Sequence, residues 1–113
     1  MLKKANRINK DKEFDRAFKT GQPFYTKVFG IKAVDNGLEI IRLGILVSTK
    51  VSKKAVIRNK IKRQIKEIIQ KEIPDLKPGK ALVFIVFSQI LDKSFKEIKE
   101  STASALRKLK LYK

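Results

Sequence analysis

The sequence lacks the residue types on which most small catalytic and metal sites are built. Its 113 residues include no cysteine and no histidine. Without cysteine there are no disulfide bonds and no thiolate zinc sites. Without histidine there are no imidazole general bases and no histidine ligands for a metal. These absences exclude cysteine–histidine dyads and every reaction that depends on an imidazole.

Acidic residues are also scarce, with 11 Asp and Glu against 28 Lys and Arg. A nuclease that holds its own metal ions needs clustered carboxylates. Asp11, Glu13 and Asp15 are close in sequence, but their alternate spacing points them in different directions on a helix. We therefore expect no catalytic residue, no metal site and no bound cofactor in this chain.

Long hydrophobic runs are missing as well. The longest apolar stretch, residues 81–87, is far too short to span a bilayer. Leu2 is followed at once by basic residues instead of the apolar core of a signal peptide. Tryptophan is absent, and the basic segment has no continuous apolar face of the kind that binds membrane surfaces. We expect a soluble, cytoplasmic protein without a membrane partner.

Positive charge is what the sequence has in excess. The formal net charge is +17, and residues 50–66 carry eight basic side chains and no acidic one. Such an excess repels itself in a compact fold unless a polyanion neutralises it. The basic residues of this segment predict a nucleic-acid-binding surface along a helix, with Arg58 projecting from its polar flank.

Local patterns predict three helices. Asn9 or Asp11 caps a first helix that ends near Thr20, before Gly21. Residues 55–73 fit a long helix with an apolar stripe of Ile57, Ile61, Ile65 and Ile68, and Pro74 ends it. Ser94 and Glu97 form a capping box for a last helix that runs to about residue 109.

The strands are predicted from β-branched and aromatic runs. Residues 24–34 read as one strand, the Asn36-Gly37 pair as a hairpin turn, and residues 38–48 as a returning, central strand. Residues 81–87 form a short buried strand. Along the first strand, alternate side chains should face the core, and these are Tyr25, Lys27, Phe29, Ile31 and Ala33. The opposite face carries Thr26, Val28, Gly30, Lys32 and Val34.

The resulting order, αββαβα, predicts an α+β fold (an α/β two-layer sandwich) in which a small sheet is covered by helices. The length allows one domain, residues 1–113, with residues 1–8 as a basic arm.

Four segments resemble one known family in the expected order. AVIRNKIKRQIKEII (residues 55–69) resembles the signature of the bacterial ribonuclease P protein subunit, which reads RNR followed by IKR on a long helix. RLGILVSTK (42–50) is similar to that family's strand leading into the motif, and EFDRAFKTG (13–21) to its first helix. KLKLYK (108–113) is similar to its tail. The resemblance covers essentially the whole chain.

The resemblance implies a left-handed βαβ crossover and a partnership with a catalytic RNA. That RNA removes the 5′ leader from precursor tRNA, with Mg²⁺ expected in the RNA-containing holoenzyme and no obligate protein partner. The residues expected to contact the catalytic RNA are Lys53, Lys54, Arg58, Asn59, Lys60, Lys62, Arg63 and Lys66. Lys60 departs from the family's Arg and loses its bidentate grip on a phosphate.

A second surface is expected to bind the precursor-tRNA leader. Phe14 and Phe18 are paired aromatics at helical spacing, which favours a core position, while the resemblance places them beside a cleft for the leader. The other expected members of this cleft are Thr26, Val28, Lys32, Ser48 and Lys50. Lys32 stands where some members of the family have an aromatic residue, so more charge contact and less stacking are expected there.

A structural ribosomal or other RNA-packing protein is the alternative, and the composition fits it equally well. The ordered motifs favour a ribonuclease P subunit.

Overall fold

The computed structural model describes residues 4–8 and 11–113, which form a four-stranded mixed sheet with helices on both faces. The elements are α1 (Asp11–Thr20), β1 (Gln22–Tyr25), β2 (Phe29–Asp35), β3 (Arg42–Leu46), α2 (Ala55–Glu72), β4 (Lys80–Val86) and α3 (Phe95–Lys108). The predicted α+β class and all three predicted helices are confirmed. Asn9, one of the two predicted caps of α1, lies outside the described residues.

The sheet order is β1-β2-β4-β3, so the strand predicted to be central lies at an edge. β4 pairs antiparallel with β2 and parallel with β3, and α2 forms the crossover from β3 to β4. The hand of that crossover stays a prediction. The turn at Gly37 exists, with a φ of 71°, but its flanking strands do not pair. β4 occupies the centre because nearly all of its residues are apolar, which suits burial on both faces.

The single strand predicted over residues 24–34 is two strands joined by a tight turn. The Thr26 hydroxyl accepts hydrogen bonds from the backbone N–H groups of Val28 and Phe29, both at 3.1 Å. The Thr26 N–H donates to the Phe29 carbonyl at 2.8 Å. Because the chain reverses here, the alternation predicted across residues 24–34 fails before Phe29 and holds after it.

The larger core lies between the sheet and the pair α2 and α3. Phe29 and Phe84, from neighbouring strands, meet edge to face with their ring centroids 5.1 Å apart. The stripe predicted on α2 packs over them: Ile61, Ile65 and Ile68 are buried, and Ile57 is half-buried. Each fully buried side chain of this size contributes roughly 1.5–3 kcal/mol to folding, so this face holds the sheet and the basic helix together.

The smaller core lies on the opposite face, under α1. Ala17 and Val83 are fully buried there, and Phe14 and Phe18 pack against them. The Arg42 guanidinium and the Glu13 carboxylate form an ion pair at 3.0 Å, which ties α1 to the edge strand β3. α1 therefore crosses the sheet at a fixed position.

α3 begins with the predicted capping box. The Ser94 hydroxyl accepts a hydrogen bond from the Glu97 N–H at 3.2 Å, and the Glu97 carboxylate accepts one from the Ser94 N–H at 3.1 Å. Within the described residues, no helix combines the length and the apolar character that crossing a bilayer would require.

Candidate nucleic-acid interface

α2 begins without any of the devices that normally neutralise a helix N-terminus. Lys54 holds the N-cap position and makes no side-chain capping hydrogen bond, and the first turn contains no acidic residue. A helix N-terminus carries about half a positive charge, to which Lys53 and Lys54 add two more. This end of α2 is therefore a concentrated positive field facing solvent.

A groove of about 670 Å³ runs beside the polar face of α2. Four of the expected RNA contacts line it together with one residue that sequence reasoning missed, Arg7. The four are Asn59, Lys62, Arg63 and Lys66. Arg7 was predicted only as part of a basic arm, because nothing in the sequence shows where that arm runs.

Backbone contacts fix the arm that carries Arg7. The Ile8 N–H donates to the Leu43 carbonyl at 2.9 Å, and the Asn6 side-chain amide donates to the Ile41 carbonyl at 2.7 Å. Residues 4–8 thus lie along the outer edge of β3, which protects that edge and presents Arg7 to α2.

The crowding of cations in this groove changes the acidity of Lys66. Burial lowers the pKa of its ammonium, and repulsion from Arg7 and Lys62 lowers it further. A phosphate placed among these side chains would relieve that repulsion. The groove is thus electrostatically prepared for a polyanion.

The helix pattern predicted that Arg58 projects freely into solvent, and the structure shows that it does not. It is half-buried, and its Nη1 donates to the Ser52 carbonyl at 2.9 Å. This hydrogen bond anchors the connector between β3 and α2, so Arg58 has a structural role whatever RNA it contacts. Lys60, in contrast, is exposed and does not line the groove.

On the α1 face of the sheet, Phe14 packs tightly over a glycine. A Cβ added to Gly44 would lie 2.5 Å from the Phe14 ring, so only glycine allows this approach. Phe14 and Phe18 are both half-buried, which agrees with the core interpretation and still leaves ring surface exposed.

Lys32 is engaged with α1 and not directed at solvent. Its Nζ donates to the Phe18 carbonyl at 2.7 Å and lies 5.3 Å from the centre of the Phe18 ring. In this structure its charge fixes the C-terminal turn of α1 and the Phe18 side chain. The direct charge contact with the leader expected for Lys32 stays a prediction beside this positioning role.

Val28 does not belong to the exposed face on which it was predicted. It is 3 % exposed and packs in the larger core, because the turn at Thr26 reverses the chain before it. Thr26 is half-buried, and its hydroxyl is committed to that turn. The expectation that Val28 offers a surface to the leader is therefore wrong.

Tyr25, and not Val28 or Thr26, is exposed at this end of the sheet. It pairs with Gly30 across the β1–β2 ladder and is 60 % exposed, although alternation along a single strand predicted it in the core. Only recognition of the turn at Thr26 would have revealed this position.

Ser48 and Lys50 lie together near Phe87. They line a groove of about 390 Å³ with Ile85 and Phe87. Lys50 is exposed, and its N–H donates to the Ser48 hydroxyl at 3.2 Å. The connector from β3 to α2 therefore carries Ser48 and Lys50 at one end and Lys53 and Lys54 at the other.

The carboxylates of the described residues do not assemble a metal site. No three of their acidic side chains converge on a common point. Glu13 instead pairs with Arg42, and Glu72 accepts a hydrogen bond from the Tyr112 hydroxyl at 2.8 Å.

Comparison with known proteins agrees with this arrangement. The family model described as Ribonuclease P matches residues 2–110. The ribonuclease P protein component of Clostridium botulinum (strain 657) is 38% identical over 110 residues, covering 96% of this chain and 98% of the relative. That of Bacillus velezensis is 37% identical over 113 residues, covering 99% and 96%.

Solved structures show the same fold. The RNase P protein of Staphylococcus aureus superposes with a TM-score of 0.89 at 32% identity, covering 97% of this chain and all of the other. The protein from Thermotoga maritima gives 0.82 at 27% identity, covering 90% and 96%. The chain therefore belongs to the ribonuclease P protein family, and it is a protein subunit of this tRNA-processing endoribonuclease.

Proposed function

We propose that the chain is the RNA-binding subunit of a ribonuclease P in which the RNA carries out the hydrolysis. The groove beside α2 supports this most directly, since Arg7, Lys62, Arg63 and Lys66 converge there and outnumber Glu67, the acidic residue in its lining. The chain's contribution is to position the RNA and to reduce repulsion between phosphates.

The two candidate surfaces divide the binding between two RNAs. The groove beside α2 takes the catalytic RNA, and the α1 face of the sheet takes the single-stranded 5′ leader of precursor tRNA. α1 and α2 pack on opposite faces of the sheet. The connector between β3 and α2 contributes lysines to both surfaces, so it links the positions of leader and catalytic RNA.

Mg²⁺ is expected on the RNA and not on this chain, because the described carboxylates do not form the oxygen cluster that a hard cation needs. Precursor tRNA is a cytoplasmic substrate in bacteria, and we propose the same location for this subunit. A ribosomal RNA-packing role is not favoured, because the family match covers nearly the whole chain.

The test is cleavage of precursor tRNA by ribonuclease P RNA at low Mg²⁺, with and without the purified chain. We expect the chain to stimulate cleavage strongly and to produce no cleavage by itself. Absence of stimulation would contradict the proposed function. Cleavage by the chain alone would contradict the assignment of chemistry to the RNA.

A further inference from the structure

We infer that Tyr25 is a base-stacking residue that holds one unpaired nucleotide of the leader, with Lys50 beside it for the phosphate. This inference rests on the proposed function and identifies within it a contact that the sequence motifs do not contain. The observation that carries it is an exposed aromatic ring placed directly over a glycine.

The geometry of Tyr25 and Gly30 creates a shelf. The two residues are cross-strand partners on the α1 face. A Cβ added to Gly30 would lie 2.8 and 2.9 Å from two Tyr25 ring carbons, and 3.7 Å from the Phe87 ring. The Tyr25 ring therefore lies against the backbone of β2 with Phe87 alongside, and any side chain at residue 30 would displace it.

The exposure of Tyr25 shows which part of it is available. The side chain packs on the sheet on one side, yet 60 % of the residue remains accessible to solvent. A ring held in place by the backbone loses little further freedom when a base stacks on it. Single exposed aromatics are common on protein surfaces, and the positive charge beside Tyr25 is what distinguishes it from them.

Positive charge continues directly from the shelf. Phe87 belongs both to the contacts around Gly30 and to the groove that contains Lys50 and Ser48. An aromatic surface beside lysines is the arrangement with which proteins bind single-stranded nucleic acid without reading its sequence. An apolar peptide would fit the ring but would offer no anion to the adjacent Lys50 ammonium.

The shelf is separate from Phe18. Lys32, which holds Phe18, and Gly30, which carries Tyr25, are two residues apart on the same face of β2, or about 7 Å at the usual rise of a strand. The α1 face thus offers two successive aromatic positions along one strand. We assign the second of them to a neighbouring nucleotide of the same leader.

The experiment uses holoenzyme reconstituted with ribonuclease P RNA and two precursor tRNAs, one with a leader of several nucleotides and one with a single-nucleotide leader. For Tyr25→Ala, we expect affinity for the long-leader substrate to fall roughly 5- to 150-fold, the range that corresponds to loss of one base–aromatic stack. Affinity for the single-nucleotide leader should not fall in parallel. Tyr25→Phe, which keeps the aromatic ring, should retain the wild-type affinity for the long-leader substrate.

Two further variants distinguish stacking from hydrophobic cover and from misfolding. Tyr25→Leu keeps apolar area but removes the π face, and it should behave like Tyr25→Ala. Gly30→Ala keeps the ring but displaces it, and it should also weaken binding of the long leader. Leu38→Ala, which removes an exposed apolar side chain at the opposite end of β2, is the matched control and should leave binding unchanged.

A leader labelled with 2-aminopurine at successive positions provides a direct readout. Quenching should occur at one or two positions with the wild-type chain and disappear with Tyr25→Leu. The inference is overturned if Tyr25→Leu binds and quenches like the wild type, or if Tyr25→Ala weakens both substrates equally. If the wild-type chain stimulates cleavage of neither substrate, the proposed function fails instead.

Discussion

Lys32 places one charge in two favourable contacts at the end of α1. The carbonyl groups of a helix C-terminus carry partial negative charge, and the Lys32 ammonium donates to one of them, that of Phe18. The same ammonium lies near the face of the Phe18 ring, where cations are attracted by the π electrons. This single residue therefore fixes both the position of α1 and the orientation of the Phe18 ring.

Replacement of Lys32 tests this role. We expect Lys32→Met to lower the free energy of unfolding by about 1–2 kcal/mol, since a charge-assisted hydrogen bond in a half-buried position is lost. Urea denaturation of the purified chain measures the change. Lys27→Met, which removes an exposed lysine from the neighbouring turn, is the control and should change stability little. Equal stability of Lys32→Met and wild type would show that the contact does not form in solution.

Tyr112 joins the C-terminal tail to the end of α2. Burial raises the pKa of its hydroxyl to about 12, and the hydrogen bond to the Glu72 carboxylate contributes to the same shift. Because the folded-state pKa lies above the ordinary value of 10.0, the contact stabilises the protein fully below pH 10. That contribution is lost as the pH rises from 10 toward 12.

Tyrosinate absorbance measures this directly. The chain has only two tyrosines, so in Tyr25→Phe the signal belongs to Tyr112 alone. We expect its titration midpoint well above 10 while the protein remains folded by circular dichroism. Glu72→Gln, which removes the nearby negative charge, should bring the midpoint down. A midpoint near 10 in Tyr25→Phe would mean that the tail does not dock against α2.

Residue types were predicted more reliably than residue partners. The basic positions on α2 follow from helical periodicity, which depends only on neighbours in sequence. Arg58 was misplaced because its partner is the Ser52 carbonyl, whose position depends on the path of a connector. Val28 and Tyr25 exchanged roles because of one turn made by a threonine, which carries no strong turn signal in the sequence.

The two longer helices, α2 and α3, differ at their N-termini. α3 has a complete capping box, whereas α2 has Lys54 at its N-cap with extended backbone angles, φ −84° and ψ 118°. That backbone conformation would allow a capping hydrogen bond. The bond is missing because a lysine side chain has no oxygen that could accept it. The start of α2 retains positive charge at a cost in stability that a bound phosphate would offset.

Lys54→Asp separates these two effects. It supplies a capping oxygen and favourable charge at the N-terminus of α2, so the free energy of unfolding should rise by about 1 kcal/mol. Affinity for the catalytic RNA should fall, because a positive charge becomes negative at the expected interface. Thermal denaturation and a filter-binding titration measure the two quantities.

Ser94→Ala is the matched variant at the other helix. It removes the α3 cap and should lower the free energy of unfolding by about 1 kcal/mol without changing RNA affinity. RNA binding by Lys54→Asp as tight as that of the wild type would show that this end of α2 does not face the RNA.

At the level of elements, local signals were sufficient for the helices and insufficient for the sheet. The local signals lie within or next to the helix they define, such as the apolar period of α2, Pro74 after it and the capping box of α3. The bounds of the helices could therefore be read from the sequence. Strand pairing joins residues far apart, such as Ile31 with Phe84 and Leu43 with Leu82. The hairpin prediction failed because the Asn36-Gly37 turn fixes only the direction of the chain. The greater apolar content of β4 then decided which strand pairs with β2.

The charge of the whole molecule sets how its RNA binding responds to salt. The net charge is +17 on 113 residues, and residues 50–66 alone carry eight basic side chains, beside which Arg7 lines the same groove as α2. If about six phosphates are neutralised, the slope of log affinity against log salt concentration should be around −4 to −5, because each contact releases condensed counterions. Equilibrium titrations of the chain with catalytic RNA over a range of KCl concentrations measure it. A slope near zero would contradict a phosphate-binding groove.

Two variants show whether the two surfaces differ in kind. Lys62→Ala removes a cation from the groove, so it should reduce the steepness of the slope by about 1 and weaken binding at every salt concentration where the contact forms. Tyr25→Ala changes no charge. It should weaken binding of a long-leader substrate to the holoenzyme by a similar factor at each salt concentration, and the slope should stay the same. A changed slope for Tyr25→Ala would mean that the α1 face binds the leader mainly through its phosphates, since loss of stacking alone releases no counterions.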